Sequence, residues 1–319
     1  MRIQFFQRIF PSANMALIRG PRPILVDPGY GADLATTIAL LHEAGVAPES
    51  LALIVNTHYH GDHCGGNGGL QARYGTPIAA HAWEAGAVNR RDAEACAAAW
   101  LDQPVEPYRV QKILHDGDLL ETGAASVRII HVPGHTLGLI ALYVEEEAAL
   151  ICGDAFHGDD VAWINPYREG PGALERALAS LERLAGLRLA RAYSGHGPPM
   201  NDPLAAIDAA RRRYERWASE PERLGWHACK RLFAYALMIR GGLPREQLPP
   251  YLLACPWFQD YSRGIFGVAP ADFVRPLIEE MLRSGAAGWA GPRLVALGAH
   301  TAPPPGWPLA LRPRDWPRH

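Results

Sequence analysis

Four side chains that can bind a metal ion lie close together in the segment 57–63, which has the sequence THYHGDH. They are His58, His60, Asp62 and His63. In an extended backbone His58 and His60 point to the same side, so both can bind one cation, whereas Asp62 and His63 can turn toward a second ion. The apolar run 51–55 before the segment has the length and branched residues of a buried strand. The glycines after the segment let the backbone turn sharply, so the sequence predicts a metal-binding loop at a strand end.

Three further metal-capable residues each follow a strand that the sequence predicts. They are His135 after 127–132, Asp154 after 149–152 and His196 after 189–193. Repeated placement at strand ends is what a site along one edge of paired sheets requires. With the first cluster, these residues give five histidines and two aspartates, enough for two metal ions.

The seven candidate ligands divide naturally between two ions. We predict that His58, His60 and His135 hold one ion. We predict that Asp62, His63 and His196 hold the other. Asp154 would bridge the two ions, because its carboxylate has two oxygens. A single His-x-His pair is usually a surface or core feature, but seven residues in this arrangement form a far more specific signal.

The order of these motifs resembles that of the metallo-β-lactamase superfamily, whose signature is T-H-x-H-x-D-H at a strand end, followed by isolated His, Asp and His residues. The matching segments are THYHGDH at 57–63, PGHT at 133–136, GD at 153–154 and GHG at 195–197. The resemblance covers about residues 3–219, and the glycine after the first motif is that of the glyoxalase II-like hydrolases. It implies an α/β fold, the αββα sandwich of the superfamily. The chain after residue 220 is similar to the winged-helix-like domain of some members.

The resemblance also implies a metallohydrolase. Two divalent ions about 3.5–4 Å apart would lower the pKa of a bridging water, and the resulting hydroxide would cleave an acyl thioester or a related ester. Asp62 would orient this water and help to deprotonate it. Zinc is the expected metal, while the imidazole and carboxylate ligands leave iron and manganese open.

Other activities of the same fold are weaker predictions. A phosphodiesterase or nuclease comes second, but Asp154 and His196 are only 42 positions apart, too close for the domain that many nucleases of the superfamily insert there. A lactonase or a β-lactamase-type amide hydrolase is less favoured, since the sequence predicts no export signal. A non-enzymatic binding protein is the weakest alternative, because it would be expected to have lost ligands.

Basic side chains follow His196 on a helix predicted at 202–219, which Asp202 would cap. Glyoxalase II-like enzymes place basic residues here to hold the anionic part of a thioester, although a solvated helix face is the more common role of such residues. The predicted substrate contacts are Arg212, Arg213, Arg216 and His157. Of these, His157 would line the rim of the cleft.

Two residues near the ligands have predicted structural roles. Asp27 would support the metal-binding loops through a hydrogen bond. Cys64 would pack behind the first loop as a small buried residue and would not bind metal.

We divide the chain into three predicted parts. These are a metallo-β-lactamase-like hydrolase domain at 1–219, a helical, winged-helix-like domain at 220–300 and a Pro-rich, extended tail at 301–319. The strands predicted first lie at 3–10, 15–18 and 24–26. An alanine-rich helix is predicted at 92–101, within an irregular stretch at 82–112 that would serve as a lid or as a substrate-facing insertion. Helices at 226–240, 244–253 and 270–284 are predicted before a strand at 293–297.

The composition of the chain restricts the compartment and the partners that we predict for the protein. Apolar residues make up 48% of the chain and charged residues 20%, as in ordinary globular proteins. The net charge of −2 gives no general attraction to nucleic acid, although residues 197–319 are mildly basic, with 16 basic and 11 acidic side chains. Five cysteines without a C-x-x-C motif favour a reducing compartment. We therefore predict a cytoplasmic protein that acts on a small, anionic molecule without membrane contact. Nucleic acid and a homo-oligomer stay open as partners.

Overall fold

The computed structural model describes residues 2–317. Met1, Arg318 and His319 belong to the predicted hydrolase domain and tail and lie outside the described residues. Two central sheets dominate the structure, followed by a mainly helical region with a third, small sheet.

The first sheet has six strands, paired in chain order. They are β1 (Ile3–Phe6), β2 (Met15–Ile18), β3 (Ile24–Val26), β4 (Leu53–Val55), β5 (Ile78–His81) and β6 (Lys112–Leu114). The first three pair antiparallel, and β3 to β6 pair parallel. The helices in this half are α1 (Leu34–Glu43), α2 (Gly61–Cys64), α3 (Asn67–Tyr74), α4 (Ala82–Arg90) and α5 (Ala98–Leu101).

The second sheet has five strands in the order β11-β10-β9-β8-β7. They are β7 (Leu119–Glu121), β8 (Ser126–His131), β9 (Ile140–Val144), β10 (Ala149–Gly153) and β11 (Arg191–Ser194). All pairs are antiparallel except β10 with β11, which are joined through α6 (Ala173–Ala185). A parallel pair needs such a crossover, and the crossover separates Asp154 from His196 in sequence while β10 and β11 bring their ends together.

The burial pattern shows how the layers stack. Along β2, Ala16 and Ile18 face a core that also contains residues of β8 to β11, so this core lies between the two sheets. Met15 and Leu17 face the opposite way and pack with residues of α1, α3 and α4. The outer face of the second sheet packs against α6 and the C-terminal helices. This is the αββα arrangement expected for the first part of the chain.

The C-terminal region is mainly helical. Its helices are α7 (Pro203–Ser219), α8 (Pro221–Arg240), α9 (Leu248–Ala254), α10 (Pro256–Gly264) and α11 (Pro270–Arg283). The small sheet has the order β12-β14-β13, with β12 (Leu243–Pro244), β13 (Ala287–Ala290) and β14 (Arg293–Ala296). One buried cluster contains residues from both sides of position 219, such as Leu181 and Leu232, so the domain boundary placed there stays a prediction.

The tail packs on the first half of the chain, contrary to the extended tail that its prolines indicate. Trp316 is only 4% exposed, and its Nε1 donates to the Val105 carbonyl at 2.9 Å. The Val105 backbone N–H donates to the Leu311 carbonyl, and Arg312 forms an ion pair with Asp102 at 2.8 Å. The tryptophan and the arginine provide contacts that a proline count does not reveal.

Several predicted elements need correction. The first strand ends at Phe6 and does not reach residue 10, and β6, α4 and α10 occur where no element was predicted. The alanine-rich segment 92–101 is not one helix, because Cys96 and Ala97 have positive φ angles of 60° and 49° and break it. Burial of both side chains fixes this backbone despite the helix propensity of alanine.

Helix α7 begins as predicted, because the Asp202 side chain accepts a hydrogen bond from the Ala205 backbone N–H. Among residues 2–317, no helix has both the length and the apolar character needed to cross a bilayer.

Candidate metal centre

All seven predicted ligands meet at one end of the paired sheets. Four strands deliver them, since the segment after β4 carries four of the residues and the ends of β8, β10 and β11 carry one each. Within each of three groups, one donor atom per side chain lies within 4.8 Å of the others. The groups are His58 with His60 and His135; His58 with His63 and Asp154; and Asp62 with His63 and His196.

The first group presents three imidazole nitrogens to one point. His60 Nδ1 lies 3.1 Å from His58 Nε2 and 2.9 Å from His135 Nε2. The edge of a tetrahedron of nitrogens around zinc is about 3.3 Å, given Zn–N distances of about 2.0–2.1 Å. The distances from His60 to the other two nitrogens are therefore close to those between ligands of one tetrahedral ion, and the three atoms all lie within 4.8 Å of one another.

Hydrogen bonds to the opposite ring nitrogens orient two of these histidines. His135 Nδ1 donates to the Trp163 carbonyl at 2.7 Å, which leaves Nε2 as the free lone pair. His58 Nδ1 lies 3.2 Å from Thr57 Oγ1, and that hydroxyl donates to Asp27 at 2.6 Å. Such partners fix the tautomer and the ring direction of a metal-binding histidine.

The other four ligands, Asp62, His63, Asp154 and His196, combine carboxylates with imidazoles. His196 Nε2 lies 3.3 Å from Asp62 Oδ2, and His63 Nε2 lies 3.8 Å from the same oxygen. Asp154 Oδ2 lies 3.7 Å from His135 Nε2 and 3.6 Å from His196 Nε2. One carboxylate therefore faces a member of each predicted set, which is the position that a bridging ligand requires.

Two buried polar atoms in this cluster lack hydrogen-bond partners among residues 2–317. They are His63 Nε2 and Asp154 Oδ1, which face each other at 3.3 Å. Buried polar atoms without partners are rare and call for an explanation. A divalent cation between the two atoms would satisfy both, so the donor set fits a metal site.

The pKa shifts of the three histidines in the first group differ from those of the ligands around the carboxylates. Burial lowers the pKa of His58, His60 and His135, so these rings are neutral and able to bind a cation. Burial would raise the pKa of Asp154, but His196 and His63 outweigh it and hold the pKa well below its usual value. The Asp154 carboxylate is therefore ionised. Burial would lower the pKa of His63 and His196, but Asp154 and Asp62 outweigh it and raise both.

Asp27 supports the ligands from behind, as predicted. Its Oδ1 accepts from the Thr57 backbone N–H at 2.8 Å, and its Oδ2 accepts from Thr57 Oγ1 and from His63 Nδ1 at 2.8 Å. Asp27 is only 2% exposed and has a φ of 53°. Cys64 also lies where it was predicted, fully buried, with its thiol donating to the Tyr59 carbonyl at 3.1 Å.

One glycine is required by the closeness of the ligands. A Cβ atom on Gly195 would lie 2.2 Å from Asp154 Oδ1 and 2.4 Å from His63 Cε1. Any side chain at this position would displace two predicted ligands. The glycine of the GHG segment is thus explained by the metal centre itself.

A small cavity of about 20 Å³ opens beside the cluster, with room for about one water molecule. Asp62 and His157 line it together with residues from outside the motifs, among them Trp163, Arg231 and Tyr235. These three were not predicted. Trp163 lies in a loop without a motif, and Arg231 and Tyr235 lie on α8, in a segment whose sequence indicates only a helix. His157 is 7% exposed, and burial lowers its pKa to about 3, so it is a neutral lining group.

The three arginines that were predicted to contact the substrate do not all lie in the same place. Arg213 and Arg216, three residues apart on α7, line a groove beside the metal cavity. Arg212 points away with Asp208, one turn earlier, and forms an ion pair with it at the surface. Arg212 lies one helical turn from Arg216, but it is not among the residues that line the groove. Contact of Arg212, Arg213 or Arg216 with a substrate stays a prediction.

A buried acid fastens the loop that carries His135. Glu84 is 3% exposed and accepts a hydrogen bond from Thr136 Oγ1 at 2.6 Å, while its second oxygen has no partner among the described residues. Burial raises the pKa of Glu84 well above its usual value. A group with a raised pKa contributes stability that is fully present below the pKa of the unfolded chain and is lost as pH rises through the folded pKa.

We therefore expect Glu84→Gln to flatten the fall in stability between pH 5 and pH 8. The amide keeps the acceptor for Thr136 and has no proton to lose, so the variant should gain about 1–3 kcal/mol relative to the parent protein once Glu84 ionises. Urea unfolding of both proteins across this pH range measures the difference. The exposed Glu49→Gln is the control, and parallel pH profiles for parent and Glu84→Gln would contradict the expectation.

The sequence matches the profile of a known protein family. A family profile described as the metallo-beta-lactamase superfamily matches residues 9–196, more than half of the chain. The matched region contains all seven predicted ligands.

Individual relatives cover different parts of the chain. A hydroxyacylglutathione hydrolase of Methylococcus capsulatus is 34% identical over 174 residues, which are 51% of this chain and 56% of that protein. An acyl-coenzyme A thioesterase of Gallus gallus is 32% identical over 187 residues, 50% of this chain and 65% of that protein. The chain thus spans less than two thirds of either relative. A crystal structure of a metallo-beta-lactamase family protein from Thermus thermophilus matches with a TM-score of 0.60 and 25% identity, covering 92% of this chain and 98% of that one.

Proposed function

The chain belongs to the metallo-β-lactamase superfamily, and from that premise we propose that it is a metal-dependent hydrolase of acyl thioesters or related esters. The observation that carries the proposal is the convergence of seven ligand side chains around two buried atoms that lack partners among residues 2–317. A site of this kind has no structural purpose without a cation, because it gathers ionised carboxylates and imidazole lone pairs away from water.

Two divalent ions fit the donor set. His58, His60 and His135 would hold one ion, and Asp62, His63 and His196 the other, with Asp154 shared between them. Bound there, the ions would supply Lewis acidity for activating water and polarising a carbonyl. Zinc suits these ligands best, with iron and manganese as alternatives.

The protein's own residues would orient a water molecule, accept its proton and hold the ligands in place. Asp62 lines the cavity, and its pKa lies below the usual value, because His63 and His196 outweigh the effect of burial. Its carboxylate is thus available to orient a water in the cavity and to take a proton from it. Trp163 stacks on His60 with ring centroids 5.1 Å apart and holds His135 through its carbonyl, so it keeps the ligand geometry rigid and excludes bulk water.

Two observations support a thioester as the bond that is cleaved. Hydroxyacylglutathione hydrolase and acyl-coenzyme A thioesterase, the names of the two relatives above, both denote hydrolysis of an acyl thioester. The small cavity beside the ligands suits a compact reacting group, with the rest of the substrate outside it. The five cysteines, all free and buried, support the further prediction of a reducing, cytoplasmic setting.

We expect His135→Ala to abolish turnover while the fold is kept. The change removes one of three nitrogens from the first ion and leaves the other two unable to complete its coordination, so metal content and kcat should fall together. A panel of acyl thioesters, with bis-p-nitrophenyl phosphate as the phosphodiester control, measures activity, and elemental analysis measures bound metal. The exposed His42→Ala is the matched control. Retained thioester hydrolysis in His135→Ala would refute the assigned role, and cleavage of the phosphodiester alone would favour the second predicted activity.

A further inference from the structure

A large groove lies beside the metal cavity. It has a volume of about 750 Å³ and is formed by α7, α8, the end of α11 and the residues that follow α11. Arg231 and Tyr235 line both the groove and the metal cavity, so the two spaces adjoin at these side chains. The metal cavity itself holds about one water molecule, so most of any substrate must lie outside it, and the groove has the size of a small-molecule site.

The groove is strongly basic. Six cationic side chains line it: Arg213, Arg216, Arg223, Lys230, Arg231 and Arg283. Only two carboxylates, those of Asp160 and Glu280, line it with them.

Ion pairing within the groove leaves an excess of positive charge. Asp160 is shared by Arg213 and Arg231, and Glu280 is shared by Lys230 and Arg283. Each of these two carboxylates therefore neutralises only part of the charge around it. Arg223 pairs with Glu220, which does not line the groove. Arg216 is exposed and has no ion-pair partner among residues 2–317, so it is free to bind an anion.

The groove also offers flat apolar surface. Trp226 lines it, partly exposed, and is held in place by Phe266 and Phe273 at ring-centroid distances of 4.7 and 5.4 Å. A rigid aromatic ring beside several arginines is a combination that binds a heteroaromatic base next to phosphate groups.

We propose that this basic groove binds the nucleotide end of a coenzyme A-type thioester, while the acyl–sulfur bond lies at the metal centre. The inference rests on the proposed thioester hydrolysis and names its substrate class. A carrier with a diphosphate and a further phosphomonoester has about four negative charges near neutral pH. A tripeptide thiol with two carboxylates and one ammonium group has about one. With the paired carboxylates of Asp160, Glu280 and Glu220 subtracted, three positive charges remain, which is closer to the charge of the first carrier than to that of the second.

The first experiment measures binding without turnover. Adenosine 3′,5′-bisphosphate is titrated into the full-length protein in a calorimeter, with Arg216→Glu as the test variant and Arg211→Glu as the control. Arg211 lies on the same helix, but it forms ion pairs with Asp208 and Glu215 away from the groove. We expect binding to weaken about tenfold or more in Arg216→Glu, to stay unchanged in Arg211→Glu and to weaken with added salt. Absence of binding, or equal affinity in all three proteins, would overturn the proposal.

The second experiment compares thioesters that share one acyl group. The carriers are coenzyme A, dephospho-coenzyme A, glutathione and N-acetylcysteamine. We expect kcat/KM to be highest for coenzyme A and to fall about tenfold when the phosphomonoester is missing, chiefly through KM. The ratio of kcat/KM for coenzyme A to that for N-acetylcysteamine should fall in Arg216→Glu and hold in Arg211→Glu.

The results of the two experiments test the groove assignment and the proposed hydrolysis separately. Bisphosphate binding without hydrolysis of any thioester would keep the groove assignment and refute the proposed function. Equal hydrolysis of all four thioesters without bisphosphate binding would refute the groove assignment and keep the function.

Discussion

Asp154→Asn should reduce the bound metal from two ions per chain to one or fewer, and kcat/KM for a thioester should fall by at least about a hundredfold. Asp154 Oδ2 lies within 3.7 Å of ligand nitrogens from both predicted sets, so its loss should affect both proposed ions. Asparagine has nearly the same shape but lacks the negative charge and one of the two acceptor oxygens. Elemental analysis and steady-state kinetics on the same preparation measure both effects.

The control for this change is Asp208→Asn, on the surface of α7, where the aspartate pairs only with arginines. It should keep full metal content and activity. Circular dichroism of both variants tests whether the fold is intact. If Asp154→Asn bound two ions per chain and kept the activity of the parent protein, the bridging role would be excluded.

Asp27→Asn should weaken metal binding about 10–100-fold, although Asp27 itself is not among the predicted ligands. Its two oxygens accept three hydrogen bonds, from the Thr57 backbone, the Thr57 hydroxyl and His63 Nδ1. An amide replaces one acceptor with a donor, so one or more of these groups is left without a partner. We also expect a loss of about 1–3 kcal/mol in the free energy of unfolding.

Backbone strain does not account for this expected loss, because asparagine tolerates the positive φ of 53° at position 27. Competition with a chromophoric chelator measures the metal affinity, and urea unfolding of the metal-free protein measures stability. Asp118→Asn is the control, since Asp118 accepts a backbone hydrogen bond from His115 at an exposed turn. A variant at position 27 that loses stability but binds metal normally would show that Asp27 supports the fold and not the ligands.

The convergence of the seven candidate ligands could be predicted from the sequence, whereas the walls of the cavity could not. His135, Asp154 and His196 each follow a short apolar run, and a strand end fixes the position of the next side chain within narrow limits. Trp163 and Arg231 reach the site through a loop and through the packing of α8, and neither has a local signal. Their positions depend on contacts between segments far apart in sequence.

The same limit explains the errors in secondary structure. The segment 92–101 has the composition of a helix, yet Cys96 and Ala97 take left-handed conformations, because tertiary packing buries both side chains. Helix propensity is worth only tenths of a kcal/mol per residue, so burial can override it. The sequence also leaves open which arginines line the groove. The sequence shows a run of arginines on one helix, but only the helix orientation separates Arg212 from Arg213.

The packing of the tail on residues 102–105 has a consequence for the order in which the site can form. Gln103 lines the metal cavity, and the contacts of Arg312 and Trp316 with its neighbours Asp102 and Val105 join parts of the chain about 210 residues apart. Contacts between such distant segments form late, because loop closure costs entropy before the contact stabilises the chain. During synthesis, the ligands up to His196 are available well before residues 312–316 leave the ribosome. The metal centre can therefore assemble around an open cavity, and its final shape depends on the last segment to fold.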